Sequence, residues 1–184
     1  RDRRRCAATI GDMQELDAVA VAEQLDGEVG LAAGAGRRIV EFARPILEKN
    51  IRIFLQDTRQ YVFSDVEPFL QKFSPLELFL ISHGEGDFQR KKIENTRLGK
   101  YFSAIKISSG QKSQDICPWV KGGKENKFFL DDRVHYLEEV KKCLPEITTI
   151  LIQRPEGRYQ DQKNDYCDFT AKNLKEALKI IKDK

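Results

Sequence analysis

Three short apolar runs each give way to sequence with helical spacing: Leu76-Glu-Leu-Phe-Leu-Ile-Ser82, Lys127-Phe-Phe-Leu-Asp-Asp132 and Thr148-Thr-Ile-Leu-Ile-Gln153. Strands buried on both faces read as near-continuous apolar runs, and parallel strands need helical crossovers that cover those faces. Ala104-Ile-Lys-Ile-Ser108 alternates as a further strand. The intervening helices are expected from Glu85 to about Tyr101, from Ser113 to about Val120, through Val134, Leu137 and Val140, and through Leu174, Ala177, Leu178 and Ile181. This alternation predicts an α/β chain: a Rossmann-like three-layer α/β/α arrangement with a mostly parallel sheet. Ahead of it, Pro45 suits the opening of a helix whose stripe runs Leu47, Ile51, Phe54, Leu55, Thr58, Tyr61, Val62. Ser64-Asp-Val-Glu67 reads as a capping box for the next helix, with Val66, Phe69, Leu70 and Phe73 on one face.

Composition narrows the function classes. A net charge of +3 builds no field suited to nucleic acid, and Arg1-Asp-Arg-Arg-Arg5 is too short a basic run to change that. Cys6, Cys117, Cys143 and Cys167 are widely spaced, without a C-x-x-C pair, which argues for reduced thiols rather than zinc or a disulfide framework. No apolar run approaches the ~20 residues that span a bilayer, and no signal peptide is evident, so a cytoplasmic protein is expected.

The chain carries two compositions. Residues 1–48 hold seven Arg and no Lys, and residues 49–184 hold eighteen Lys and seven Arg. Eight of the twelve alanines precede Arg37. Lys and Arg serve a solvated surface alike, so folding physics does not account for the switch. The expected division is a compositionally foreign segment at 1–36, a partial helical cap at 37–63 and a core at 64–184.

In open parallel sheets, ligands sit beyond the carboxyl ends of the strands. Ser82-His83-Gly84 falls there, and so does Asp131-Asp132. Two adjacent carboxylates at the end of a buried strand are costly without a compensating cation, and a hard cation such as Mg²⁺ suits them. Lys112 precedes a short helix, from which an ammonium can reach an anion at the sheet edge. Hydroxyl, backbone N–H groups, lysine and Mg²⁺ together form a phosphoryl cradle, because phosphoryl transfer depends mainly on positioning and charge neutralisation.

These motifs, in this order, resemble the haloacid dehalogenase-like (HAD) phosphohydrolase superfamily over roughly residues 45–184. Leu80-Ile81-Ser82 matches its second motif, Lys112 its third and Phe128-Phe129-Leu130-Asp131-Asp132 its fourth. Phe63-Ser-Asp-Val-Glu-Pro-Phe-Leu70 looks like the lead-in to the second strand, and Gln153-Arg-Pro-Glu-Gly-Arg-Tyr159 resembles a loop of some small bacterial members. The resemblance implies that Ser82 hydrogen-bonds the phosphoryl group and that Lys112 stabilises charge on nucleophile and phosphate. It makes Asp132 the main Mg²⁺ ligand, and Asp131 a second ligand or orienter. The substrate class it implies is a small phosphorylated metabolite.

The family's first motif, an Asp-x-Asp that provides nucleophile and acid/base, has no match. Asp57-Thr58 continues a helical stripe and is read as cap; Asp12 follows a short apolar run in a pattern closer to the fourth motif. Tyr136 also departs from the family, which usually places Asn or Asp four residues after the metal ligand. In this fold the first strand lies between those bearing Ser82 and Asp131, so either residues 6–22 supply a substitute strand (Leu16 to Ala22 alternates) or the chain is a damaged copy. Two functions are expected: an impaired Mg²⁺-dependent phosphatase, or a non-catalytic module that binds a phosphorylated ligand. His83 is read as a loop histidine, His135 as a helix-surface residue, and Trp119 and Tyr159 as packing or loop anchors.

Overall fold

The apolar runs assemble into one six-stranded sheet, parallel throughout, with strands in the order Ala104–Ser108, Leu78–His83, Arg5–Ala8, Lys127–Asp131, Thr148–Ile152, Phe169–Ala171. The computed structural model describes residues 5–8, 35–73, 78–120 and 126–184. Its strands are β1 (Arg5–Ala8), β2 (Leu78–His83), β3 (Ala104–Ser108), β4 (Lys127–Asp131), β5 (Thr148–Ile152) and β6 (Phe169–Ala171). Its helices are α1 (Ala35–Gln56), α2 (Val66–Leu70), α3 (Gly86–Thr96), α4 (Lys112–Val120), α5 (Val134–Cys143) and α6 (Leu174–Lys182).

The three layers follow from strand alternation. Every residue of β4 is buried. Phe128 and Leu130 join Leu78, Ile150 and Ile152 in a core closed by Val66, Phe69 and Leu70 of α2 and Leu174, Ala177 and Ile181 of α6. Phe129 points the other way, packing with Ile81 and Leu151 against Ile116 and Val120 of α4 and Leu137 and Val140 of α5. Trp119 stacks on Phe79 at 5.3 Å between ring centroids, the packing role expected of it. Among the described residues no helix is long and apolar enough to cross a membrane.

The middle of the sheet is filled from the N-terminal segment. Arg5–Ala8 pairs with β2 on one side and β4 on the other, which removes the two unpaired edges that a missing strand would leave. It begins one residue ahead of the expected 6–22 window, and the Leu16–Ala22 alternation lies outside the described residues.

Other departures have local causes. α1 starts at Ala35 and carries Pro45 inside it, not at its opening. The ring costs the bond that an N–H at 45 would give to the carbonyl at 41, yet good helix formers on both sides carry the helix through. Ser64 does not cap α2. Asp65 stands at its N-cap without a side-chain cap bond, because its carboxylate is used elsewhere. There Oδ1 accepts from Arg154 Nη2 at 2.8 Å and Oδ2 accepts from the Leu174 N–H at 2.8 Å, joining α2, the loop after β5 and the start of α6. The helix expected to reach Tyr101 stops at Thr96, where Arg97 turns left-handed (φ 58°) and a 3-10 turn, Gly99–Tyr101, follows. β6, short and at the sheet's edge, had no periodic signal.

α1 is anchored at its C-terminal end. The Thr58 hydroxyl donates to the Lys92 carbonyl at 2.9 Å, Asn95 Nδ2 donates to the Leu55 carbonyl, and the Phe54 ring lies 4.9 Å from Tyr61 and 6.2 Å from Phe88.

Candidate functional site

Sheet register sets the site's floor. Ala8 lies level with Leu80 of β2 and Leu130 of β4, so Ser82 and Asp132 each stand two positions beyond that level. With strands ~4.8 Å apart, the two ends flank β1 across about 10 Å. Thr9-Ile10-Gly11 separates Ala8 from the first carboxylate that follows it in sequence, Asp12. Asp12 itself lies outside the described residues.

Above this floor sits a buried ion pair. Lys112, the first residue of α4, places Nζ 2.8 Å from Asp131 Oδ2; the two side chains are 2% and 0% exposed. Asp131 Oδ1 accepts the Arg133 N–H at 2.9 Å, so the carboxylate also shapes the turn into α5. The Tyr136 ring covers the ammonium, its centroid 3.6 Å from Nζ. A cation held against a ring face in a desolvated place is attracted by the ring quadrupole. Tyr136, singled out in the sequence as a departure from the resemblance, thus closes the pair with an aromatic face. Burial, with the Asp131 carboxylate nearby, pushes its phenol up to about 12. His83, expected in a loop, is instead the last residue of β2, exposed and with its ring 5.7 Å from that of Tyr136, whereas His135 is exposed on α5 as expected. Burial and the Arg133 cation hold His135 below the usual histidine value.

Ser82, the penultimate residue of β2, is buried, and its hydroxyl donates to Gln89 Oε1 of α3 at 3.0 Å. Gly84 then turns the chain at φ 137°, where a side chain is disfavoured, and its N–H donates to the Ser108 carbonyl at 3.3 Å.

The helix N-termini near this edge are met by carboxylates of the chain itself. The Glu85 carboxylate accepts from the N–H groups of Asp87 and Phe88 at the start of α3. Glu139 Oε1 accepts the Ser113 N–H at the start of α4, and Asp161 Oδ2 accepts the Val134 N–H at the start of α5. The chain's own carboxylates already serve these amides and dipoles.

Of the residues singled out in the sequence, Lys112 and Asp131 are in direct contact, Asp132 follows at the strand end, and Ser82 stands at the same level two strands away. Sequence reasoning missed Gln89, the Tyr136 ring and the three capping carboxylates. Glu85, just ahead of a helix, carried a local signal; Asp161 and Glu139 arrive from distant sequence and carried none. Tyr159 anchors the loop after β5, with the Arg133 guanidinium 4.1 Å from its ring and Arg133 Nε 3.0 Å from Asp161 Oδ2.

The donor set suits a hard cation. Both Asp131 oxygens are engaged, by Lys112 Nζ and by the Arg133 N–H, and among the described residues no group of three or more His, Cys, Asp or Glu is placed to hold a metal. Mg²⁺ is commonly bound by one or two carboxylates, with water and substrate phosphate completing its octahedron, so Asp132 would be its direct ligand here, with Asp131, held by Lys112, behind it.

No protein-family model matches the chain, and no curated protein matches it significantly. Solved structures do. The HAD-hydrolase YfnB of Bacillus subtilis, in a magnesium-bound form, aligns with a TM-score of 0.63 at 13% identity, over 98% of this chain and 99% of its own. A haloacid dehalogenase-like hydrolase of Burkholderia xenovorans aligns with a TM-score of 0.62 at 14% identity, over 98% and 97%. The L-2-haloacid dehalogenase of Xanthobacter autotrophicus, with chloropropionic acid covalently bound, aligns with a TM-score of 0.56 at 12% identity, over 99% of each chain. At such identities the likeness concerns the fold. The chain has the fold of the haloacid dehalogenase-like hydrolases.

Proposed function

We propose that the C-terminal edge of the sheet is a HAD-type phosphoester site, which takes a small phosphorylated metabolite together with Mg²⁺ and hydrolyses it poorly or not at all. The observation that carries this reading is the buried Lys112–Asp131 pair, beside a strand end that places Asp132 level with Ser82. A desolvated ammonium at a sheet edge is a strong feature to meet a phosphoryl oxygen, since electrostatic attraction grows as water is excluded. In this reading Lys112 binds a phosphoryl oxygen, Ser82 orients a second, and Asp131 holds Lys112 in place. Asp132, with Asp131 behind it, would hold Mg²⁺, which supplies neutralisation of phosphate charge when bound.

Impaired hydrolysis follows from the sequence after β1. Phosphoester cleavage of the HAD type needs a carboxylate nucleophile there, and Thr9-Ile10-Gly11 contains none. Loss of a nucleophile costs several orders of magnitude in rate, which the remaining cradle does not restore. The same gap favours the second reading, a binding module without turnover. Phosphate release from an aryl phosphate with Mg²⁺ separates the two. The expected rate equals that of the Asp132→Ala variant. Mg²⁺-dependent turnover well above that control, abolished by Asp12→Asn, would make Asp12 the nucleophile and the chain a working phosphatase.

A further inference from the structure

Gln89 has no part in the reading above, yet it is the hydrogen-bond partner of Ser82. It is buried on α3, seven residues after Ser82, with Oε1 3.0 Å from the serine oxygen. Its amide fills the space over Gly84 so closely that a Cβ there would lie 2.8 Å from Nε2. A glycine at the turn and a glutamine in the first turn of α3 are therefore one arrangement: the missing side chain makes room for the amide.

The direction of the bond has a consequence for anion binding. A serine hydroxyl has one proton. In the observed arrangement that proton goes to Gln89 Oε1, and a phosphoryl oxygen, an acceptor, cannot use it. A half-turn of the Gln89 amide exchanges Oε1 and Nε2, so that the amide donates to the serine oxygen and the hydroxyl proton turns to the ligand. Glutamine alone among similar side chains offers both a donor and an acceptor at this reach; a carboxylate offers acceptors when ionised, and leucine offers neither.

We propose that Gln89 is a positioning residue that sets the direction of the Ser82 proton, holding it in the resting site and releasing it to the bound anion by reversing its amide. The inference rests on the phosphate-binding reading of the same edge. Substrate is touched by Ser82, and Gln89 acts through it.

The test is a calorimetric titration with inorganic phosphate and Mg²⁺ on the wild-type chain and on Gln89→Leu, Ser82→Ala, the double variant and Gln89→Glu. Gln89 keeps one bond to Ser82 in both states, so Q89L removes the amide that directs the serine proton to the anion, and about fivefold weaker phosphate binding is expected. Because Gln89 acts through Ser82, the same substitution made on S82A should change nothing further, a coupling that general damage to the fold would not produce. Q89E adds a second readout. Its deficit relative to wild type should be small near pH 4.5, where the carboxyl can still donate, and should grow as pH rises and the ionised group locks the serine proton.

Equal binding by wild type and Q89L, or equal weakening by Q89L with and without Ser82, overturns the inference and leaves the phosphate reading standing. A wild-type chain that binds no phosphate overturns both. Thermal melts of each variant check that the fold is retained, and a pH-independent deficit in Q89E also counts against the amide reversal.

Discussion

Replacing Lys112 by Met removes the ammonium while keeping most of the side chain's length, and leaves the Asp131 carboxyl group without that cation in a place closed to water. The pair is separated by 2.8 Å, and both side chains are almost wholly buried. At an effective dielectric near 20, two unit charges at that distance attract by about 6 kcal/mol, much of which desolvation cancels. Removing a single partner is a different matter, because the survivor keeps its desolvation cost without the attraction, and about 3–5 kcal/mol is then lost. For a chain of this size the loss corresponds to a melting temperature lower by about 6–20 °C. Asp131→Asn keeps an oxygen to accept the Arg133 N–H, so the double variant K112M/D131N removes both charges with little else, and should recover most of the loss. Urea unfolding followed by fluorescence of the single tryptophan, Trp119, measures all four chains. A K112M cost below about 1 kcal/mol, or costs that simply add in the double variant, would refute the buried-pair argument.

Three further outcomes are expected elsewhere. Asp65→Asn should lower stability by about 3 kcal/mol or more, since it weakens both the Arg154 ion pair and the bond from the Leu174 N–H; a loss within 0.5 kcal/mol, the ordinary scale of surface changes, would count against that junction as a structural tie. Burial pushes the Asp168 carboxyl up, but bonds from Lys141 Nζ and the Thr149 N–H outweigh it and hold the group below its usual value. Its stabilising contribution is therefore present above about pH 4 and is lost as pH falls through the lowered value, so Asp168→Asn should flatten the acid limb of the stability–pH curve. Gly84→Ala should cost about 1–3 kcal/mol by thermal melting, from its positive φ and from the Gln89 amide that a Cβ would meet; an unchanged melt would show that the turn relaxes freely.

The core of the fold was legible because its strands are buried on both sides. Phe128, Phe129 and Leu130 can be read as a central strand without knowing their neighbours, and the helical stripe at Leu174, Ala177 and Ile181 fixes a helix by spacing alone. β1 was harder. Arg5-Cys-Ala-Ala8 is four residues long with little apolar character, and its place in the sheet depends on the two strands beside it. Pro45 misled because proline is favoured at a helix start, while the residues before it carry the helix anyway. At the site, Ser82, Lys112 and Asp131-Asp132 were visible as polar residues at strand and helix ends. What surrounds them was not. Asp161 reaches α5 from 27 residues away, and Glu139 reaches α4 from 26, so their capping of helix N-termini is a product of tertiary packing. Ser64 failed as a cap for the same reason: Asp65 next to it was drawn into a tertiary pair with Arg154.

The central claim is that Ser82, Lys112, Asp131 and Asp132 form a phosphate cradle that works with Mg²⁺. Titration of the purified chain with inorganic phosphate, followed by calorimetry with and without Mg²⁺, tests it most directly. The account predicts saturable one-site binding that requires Mg²⁺ and is lost in Asp132→Ala. No binding by the wild-type chain, or binding that persists unchanged in Asp132→Ala, would contradict it.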